Sequence, residues 1–367
     1  MGDTLRRGAP ESREDLADAS VDEAEQVAVP ERYSRQVLVE GIGNAGQARI
    51  AKCRVVLAGC GALGSVQASL LVRAGFGTVR IVDRDFVEES NLARQVLFDE
   101  EDVRTVQPKA IAAERKLRGV NSFAKVEGVV DDINPGTIDR LFGGFDIIVD
   151  ATDNFETRYL VNDYAVKTGT PWVYGACVAW HGLTFPILPH ETACLRCVFD
   201  SAPPPGLVPT CDTAGVLGAI VGVVASLQVA EVIKIAVGRR DRVTRGIAVI
   251  DLWDNLLSTV ELPPRAPGCP CCGEHRFEYL QGDQGTTATA LCGRGAVQVR
   301  RSDGARLDLE ELARRLEPLG PLTRNRFLVR VDVDAYDLTV FADGRAIIGG
   351  TDDPAVAKSV YARYVGA

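Results

Sequence analysis

Arg54-Val55-Val56-Leu57-Ala58-Gly59-Cys60-Gly61-Ala62-Leu63-Gly64 is the stretch on which the fold turns. Its first half is apolar, β-branched and ends in glycine, the pattern of a buried strand. Its second half opens a helix rich in Ala, Leu and Val. Between them stands G-x-G-x-x-G, which after a strand and before a helix marks a phosphate-binding turn. Gly59 makes the tight turn, Gly61 lets backbone N–H groups approach a phosphate, and Gly64 lets the helix pack closely on the strand. The unpaired donors of the helix N-terminus then face the anion.

Outward from this turn, strands and helices alternate. Residues 78–83, 124–130, 145–151 and 172–176 read as strands, and 108–117 and 154–168 as helices. This alternation predicts an α/β, Rossmann-like, mostly parallel sheet with helices on both faces. Residues 184–188 add an antiparallel edge strand. Residues 200–209 are too proline-rich for regular structure and read as a mobile loop. Residues 214–237 form a long apolar helix, interrupted by Gln228, Glu231 and Lys234, that suits a core or dimer helix better than a membrane span. Residues 245–253 and 257–262 pair as a hairpin. The expected units are an acidic disordered tail (1–30), an adenine-nucleotide or dinucleotide domain (31–280) and a small C-terminal α+β domain (281–367) with strands at 296–301, 326–333 and 337–341 and helices at 307–316 and 353–364.

Composition narrows the function. The chain has 367 residues, 46% hydrophobic and 25% charged, as in ordinary globular enzymes. A net charge of −9 argues against a broad nucleic-acid footprint. The N-terminus lacks the apolar core of a secretory signal, and no membrane partner is expected, so the cytoplasm is the expected location.

Asp83 follows the glycine turn by about 20 residues, where a carboxylate accepts hydrogen bonds from ribose hydroxyls. A dehydrogenase fits equally well to this point. The polar stretch from Asp83 through Asp85 to Arg94 and Gln95, with Lys109 beyond it, suits a triphosphate better, because two fixed cations hold its departing end. Asp153 ends the fourth strand at the carboxyl edge. A hard carboxylate there suits Mg²⁺; its competing role is to cap the following helix.

Cys194-x-x-Cys197 and Cys269-x-x-Cys272 pair as a four-thiolate site for Zn²⁺, or for iron with the same geometry. Cys271 is an extra thiol inside the second knuckle. Cys53, Cys60 and Cys177 read as core residues. Cys211 stands between the proline-rich loop and the long helix, where a thiolate is favoured; otherwise it is an inert small residue.

Together these residues resemble the ThiF/MoeB family, relatives of the ubiquitin-activating enzymes. The likeness runs from Arg32 to Gly273 through Arg32-Tyr33-Ser34-Arg35-Gln36, the glycine turn, Asp83-x-Asp85, Ser90-Asn91-Leu92-x-Arg94-Gln95, Pro108-Lys109, Asp150-x-Thr152-Asp153-Asn154, both cysteine pairs and Gly215-Val216-Leu217-Gly218. The resemblance implies ATP and Mg²⁺ binding, a homodimer, and adenylation of a ubiquitin-like sulfur carrier ending in Gly-Gly, with a sulfurtransferase as a further partner. It implies ribose binding by Asp83, phosphate binding by Asn91, Arg94 and Lys109, a magnesium-linked role for Asp153, and an Arg35 that reaches the partner subunit's triphosphate. In some relatives a cysteine at the place of Cys211 bonds covalently to the carrier. A dinucleotide oxidoreductase and a non-catalytic carrier-docking protein are the alternatives.

Overall fold

The computed structural model describes residues 29–201, 214–282, 288–291, 295–299 and 306–365. The tail and proline-rich loop expected at 1–30 and 200–209 lie largely outside the described residues.

The first unit begins with short 3-10 turns and α1 (Gly43–Lys52). Then come β1 (Arg54–Ala58), α2 (Ala62–Ala74), β2 (Thr78–Val82), α3 (Glu100–Arg104), α4 (Lys109–Val120), β3 (Lys125–Val129), α5 (Ile138–Phe142) and β4 (Ile147–Asp150). It continues with α6 (Phe155–Thr168), β5 (Trp172–Val178), β6 (His181–Ile187), α7 (Leu195–Val198), α8 (Gly218–Ala236), β7 (Gly246–Asp251), β8 (Leu256–Glu261) and α9 (Glu278–Gln281).

Eight strands form one sheet in the order β3-β2-β1-β4-β5-β6-β7-β8. The first five are parallel, as expected, and the last three are antiparallel. Along β1, Val55 and Leu57 face one core with Leu71, Val72 and Val232, while Val56 and Ala58 face the other with Leu160 and Val161. Burial of both faces explains why these strands read as continuous apolar runs.

Two expectations are corrected. β6 is not an edge strand, because Leu183 and Thr184 pair with Val249 and Ala248 of β7. The long helix starts at Gly218 rather than 214, because Gly215 has φ +73° and Val216 bridges to Ala179 in extended form.

By length and composition α8 could cross a membrane. In the fold it packs on α2, β5 and β6. Its buried Gln228 donates to the main-chain oxygens of Asp150 (3.0 Å) and Val173 (3.1 Å) and accepts from Gln67 (2.5 Å). These bonds pin the helix at the end of β4.

The second unit contains β9 (Ala288–Leu291), β10 (Ala296–Val299), α10 (Leu309–Leu316), β11 (Leu322–Arg324), β12 (Leu328–Val333), β13 (Tyr336–Phe341), β14 (Ala346–Gly349) and α11 (Pro354–Tyr364). Its antiparallel sheet runs β11-β12-β13-β14-β10-β9. Leu312 and Leu316 of α10 and Val360 and Tyr361 of α11 pack with Val331, Leu338 and Ile348. Strands β9, β11 and β14 were not legible in the sequence.

Candidate active site

The parallel strand order reverses between β1 and β4, where Ala58 lies beside Asp150. Open α/β sheets bind ligands in the crevice at such a point. The glycine turn leaves β1 there. Gly59 has φ +101°, and a Cβ would lie 2.6 Å from the Ala151 oxygen. At Gly64 a Cβ would lie 2.4 Å from the Gly59 oxygen, so helix and turn touch through bare backbone. Gly61 is the N-cap of α2 without any capping side chain, and the nearest atom to its Cβ position is Gln95 Nε2 at 3.9 Å. The first N–H groups of α2 thus face open space beneath the 90–95 segment, an arrangement suited to phosphate.

Asp83 closes β2. Its Oδ2 accepts from the Cys60 N–H (2.6 Å) and its Oδ1 from the Asp85 N–H (2.7 Å). Burial pushes its carboxyl up, opposed by Lys109. Lys109 is almost buried, with its ammonium 3.1 Å from Asp85 Oδ2. Arg84, between the two aspartates, donates to Asp132 at 2.8 Å. Burial works against its charge, but Asp132, Asp85 and Asp153 outweigh it and hold the guanidinium above its ordinary value. Burial likewise pushes the Asp132 carboxyl up, but Arg84 and Arg345 outweigh it and the net direction is down. Asp83, Arg84, Asp85, Lys109 and Asp153 therefore form one electrostatic cluster.

Arg94 is partly exposed, donates to the Ser90 oxygen at 2.6 Å and lies against Gly218 at the start of α8. Asn91 differs from expectation. It is buried, its Oδ1 accepts from the Glu88 N–H (3.2 Å), and its amide reaches Ser90 Oγ (3.3 Å). Its side chain is thereby engaged in holding its own turn.

The structure separates the two candidate roles of Asp153. Asn154 caps α6, accepting from the Thr157 N–H at 2.8 Å. Asp153 is exposed beside it and is not used as the cap. The loop is aimed by Asp150, whose Oδ1 accepts from Thr152 N–H (2.9 Å) and Oγ1 (2.8 Å). Arg158 supports it by donating to the Thr152 oxygen (2.8 Å) and standing 3.3 Å from Asp150 Oδ2. The sequence reading missed Arg158; its position one turn past the cap on α6 was the available signal.

Arg35 is exposed and far from the glycine turn of its own chain. Its neighbour Gln36 donates to the Ala74 oxygen, at the opposite end of α2 (2.9 Å). A helix of 13 residues is about 20 Å long.

Sγ atoms of Cys194, Cys197, Cys269 and Cys272 lie within 4.8 Å of one another. Cys194–Cys269 is 3.6 Å, Cys197–Cys272 3.4 Å and Cys194–Cys197 4.0 Å. A zinc–sulfur bond of about 2.3 Å gives tetrahedral edges of about 3.8 Å, so the four thiols fit such an ion. Cys271 points elsewhere and accepts from Asn162 Nδ2 at 3.2 Å. Cys53 and Cys60 are buried. Burial, with Asp83 adding, pushes the Cys60 thiol far up and leaves it inert. Cys177 is partly exposed. Cys211 and Cys292 lie outside the described residues.

The ThiF family model matches residues 33–271. Over 338 residues the chain is 46% identical to the sulfur carrier protein ThiS adenylyltransferase of Bacillus subtilis (strain 168), covering 91% of this chain and 99% of that protein. It is 39% identical to the SAMP-activating enzyme E1 of Haloferax volcanii, over 68% of this chain and 92% of that one. The crystal structure of E. coli MccB with ATP superposes with a TM-score of 0.59 at 25% identity, covering 66% of this chain and 75% of that one. These likenesses give the dinucleotide-oxidoreductase reading no support.

Proposed function

This chain belongs to the ThiF family, and from that premise we propose that it is an adenylyltransferase acting on a ubiquitin-like sulfur carrier that ends in Gly-Gly. The reaction is ATP + carrier–COO⁻ → carrier–CO–AMP + pyrophosphate. The activated carboxyl then receives sulfur, from a sulfurtransferase partner, in a thiamine or molybdenum-cofactor type of pathway. The observation that carries the reading is the cluster of Asp83, Lys109 and Asp153 around the uncapped α2 N-terminus at the sheet's switch point.

A carboxylate is a poor electrophile, and joining it to AMP makes a mixed anhydride. The protein must hold the carboxylate oxygen in line with the α-phosphorus and neutralise the departing pyrophosphate. In this reading Asp83 accepts from the ribose. Gly59, Gly61 and Gly64 let the α2 amides approach the phosphates. Lys109 and Arg94 hold the leaving end, and Asp85 keeps Lys109 aimed. Asn91 acts by shaping the Ser90 turn beside Arg94. Asp153 would hold Mg²⁺, which supplies charge neutralisation on the phosphates.

Arg35 fits the partner site of a homodimer, since its own glycine turn lies a helix length away. The four cysteines fit a structural Zn²⁺. Cys211 is assigned the optional covalent step on the carrier. The packing of α8 within the fold agrees with an enzyme of the cytoplasm.

Purified protein with a Gly-Gly-ended carrier is expected to catalyse carrier-dependent exchange of pyrophosphate into ATP. No exchange with any such carrier, while the protein reduces nicotinamide cofactors, would overturn the reading.

A further inference from the structure

The second sheet touches the first unit along two short segments that both lead to Lys109. One is the loop 83–88. Phe86 is buried against Leu328 and Phe341, and the Arg330 guanidinium stacks over its ring at 5.5 Å. The other is the turn before α4. Val106 joins the same apolar cluster, and Asn325 Nδ2 donates to the Val106 oxygen at 2.8 Å.

The two segments are stitched to each other. The Val87 N–H donates to the Gln107 oxygen (2.8 Å) and the Lys109 N–H to the Asp85 oxygen (2.9 Å). Phe86 and Pro108 form an isolated bridge. Whatever fixes this pair of segments fixes the Lys109–Asp85 ion pair between them.

The turn is strained where it is gripped. Val106 has φ +46°, in the left-handed region that a β-branched side chain rarely enters. Such a conformation persists only where the surroundings over-determine it. The grip is itself rigid, because Asn325 Oδ1 accepts from the Phe327 and Leu328 N–H groups at 2.8 and 3.1 Å, which aims the amide at Val106.

We propose that the second sheet is a brace for the nucleotide site: by holding the Val106 turn it positions Lys109 and Asp85, and so sets the affinity for ATP. Asn325 is a positioning residue, and the sheet acts on the nucleotide rather than on the carrier. This rests on the adenylation reading.

Asn325→Asp tests it. The variant keeps the oxygen that organises its own turn and replaces the donor with an oxygen facing the Val106 carbonyl. KM for ATP is expected to rise about fivefold, the size of one lost hydrogen bond, with KM for the carrier unchanged. Val106→Gly added to Asn325→Asp should restore KM for ATP, because glycine adopts this φ without strain. Leu328→Ala, which loosens the same cluster without touching the amide, should shift KM for ATP in the same direction. An unchanged KM for ATP in both single variants overturns the brace, and so does an equal rise in both KM values. Calorimetric binding of a non-hydrolysable ATP analogue is measured alongside. Wild-type protein that binds the analogue but exchanges nothing counts against the adenylation reading, whereas tight analogue binding by Asn325→Asp counts against the brace.

Discussion

The Lys109 ammonium lies 3.1 Å from the Asp85 carboxylate while its side chain is almost wholly out of water. A buried cation is costly unless it is paired, so this arrangement stores a positive charge where a leaving group needs one. Lys109→Met is expected to lower carrier-dependent exchange by about 100-fold. A loss smaller than about tenfold, ~1.4 kcal/mol of barrier, would take Lys109 out of the chemistry.

Asp153 and Asn154 should part company on mutation. Asn154 carries the cap of α6, so Asn154→Ala should cost about 1 kcal/mol in urea unfolding. Asp153 is exposed and bears no cap, so Asp153→Ala should keep the wild-type unfolding midpoint and lose about 100-fold in exchange. Early unfolding of Asp153→Ala with normal exchange would reverse the assignment.

The glycines should divide in the same way. An added Cβ at Gly64 meets backbone at 2.4 Å, whereas at Gly61 nothing lies closer than 3.9 Å. Gly64→Ala should therefore lower the melting temperature, and Gly61→Ala should fold normally yet bind ATP more weakly. Thermal melting and calorimetry read the two effects separately.

The placement of Arg35 predicts complementation. Arg35→Ala and Asp153→Ala should each be nearly inactive alone. Mixed and allowed to exchange subunits, they should recover about a quarter of wild-type activity, because half of the statistical dimers carry one intact site. No recovery despite confirmed subunit exchange would place the arginine outside the partner's site.

Metal content should follow the geometry of the thiols. Cys272→Ser should lose bound zinc and melt earlier, and Cys271→Ser should keep its zinc, because Cys271 bonds to Asn162 instead. Elemental analysis of the purified variants decides this.

The parallel half of the fold was readable because Val55–Ala58 and Ile147–Val149 are buried on both faces and so stay apolar without interruption. The same physics hid the antiparallel half. Strands β11 and β14 have three and four residues, too few to show a period, and exist because longer neighbours pair with them. That β6 is interior depends on Thr184 meeting Ala248, a pairing across more than sixty positions that no local pattern encodes. At the site, the residue types of Asp83, Lys109 and Asp153 were legible. That Asn154 rather than Asp153 caps the helix, and that Asn91 serves its own turn, are matters of side-chain direction that a string of letters leaves open. Asn325 was beyond reach, since its partner lies 219 residues away.

The cysteine cluster has a consequence for how the protein is made. Cys194 and Cys269 are 75 positions apart, and between them lie α8 and the whole β7–β8 hairpin. Four thiols so far apart converge only after that half of the sheet has assembled, so an ion is captured late. The zinc-to-protein ratio of a preparation then becomes a gauge of how many molecules in it have finished maturing.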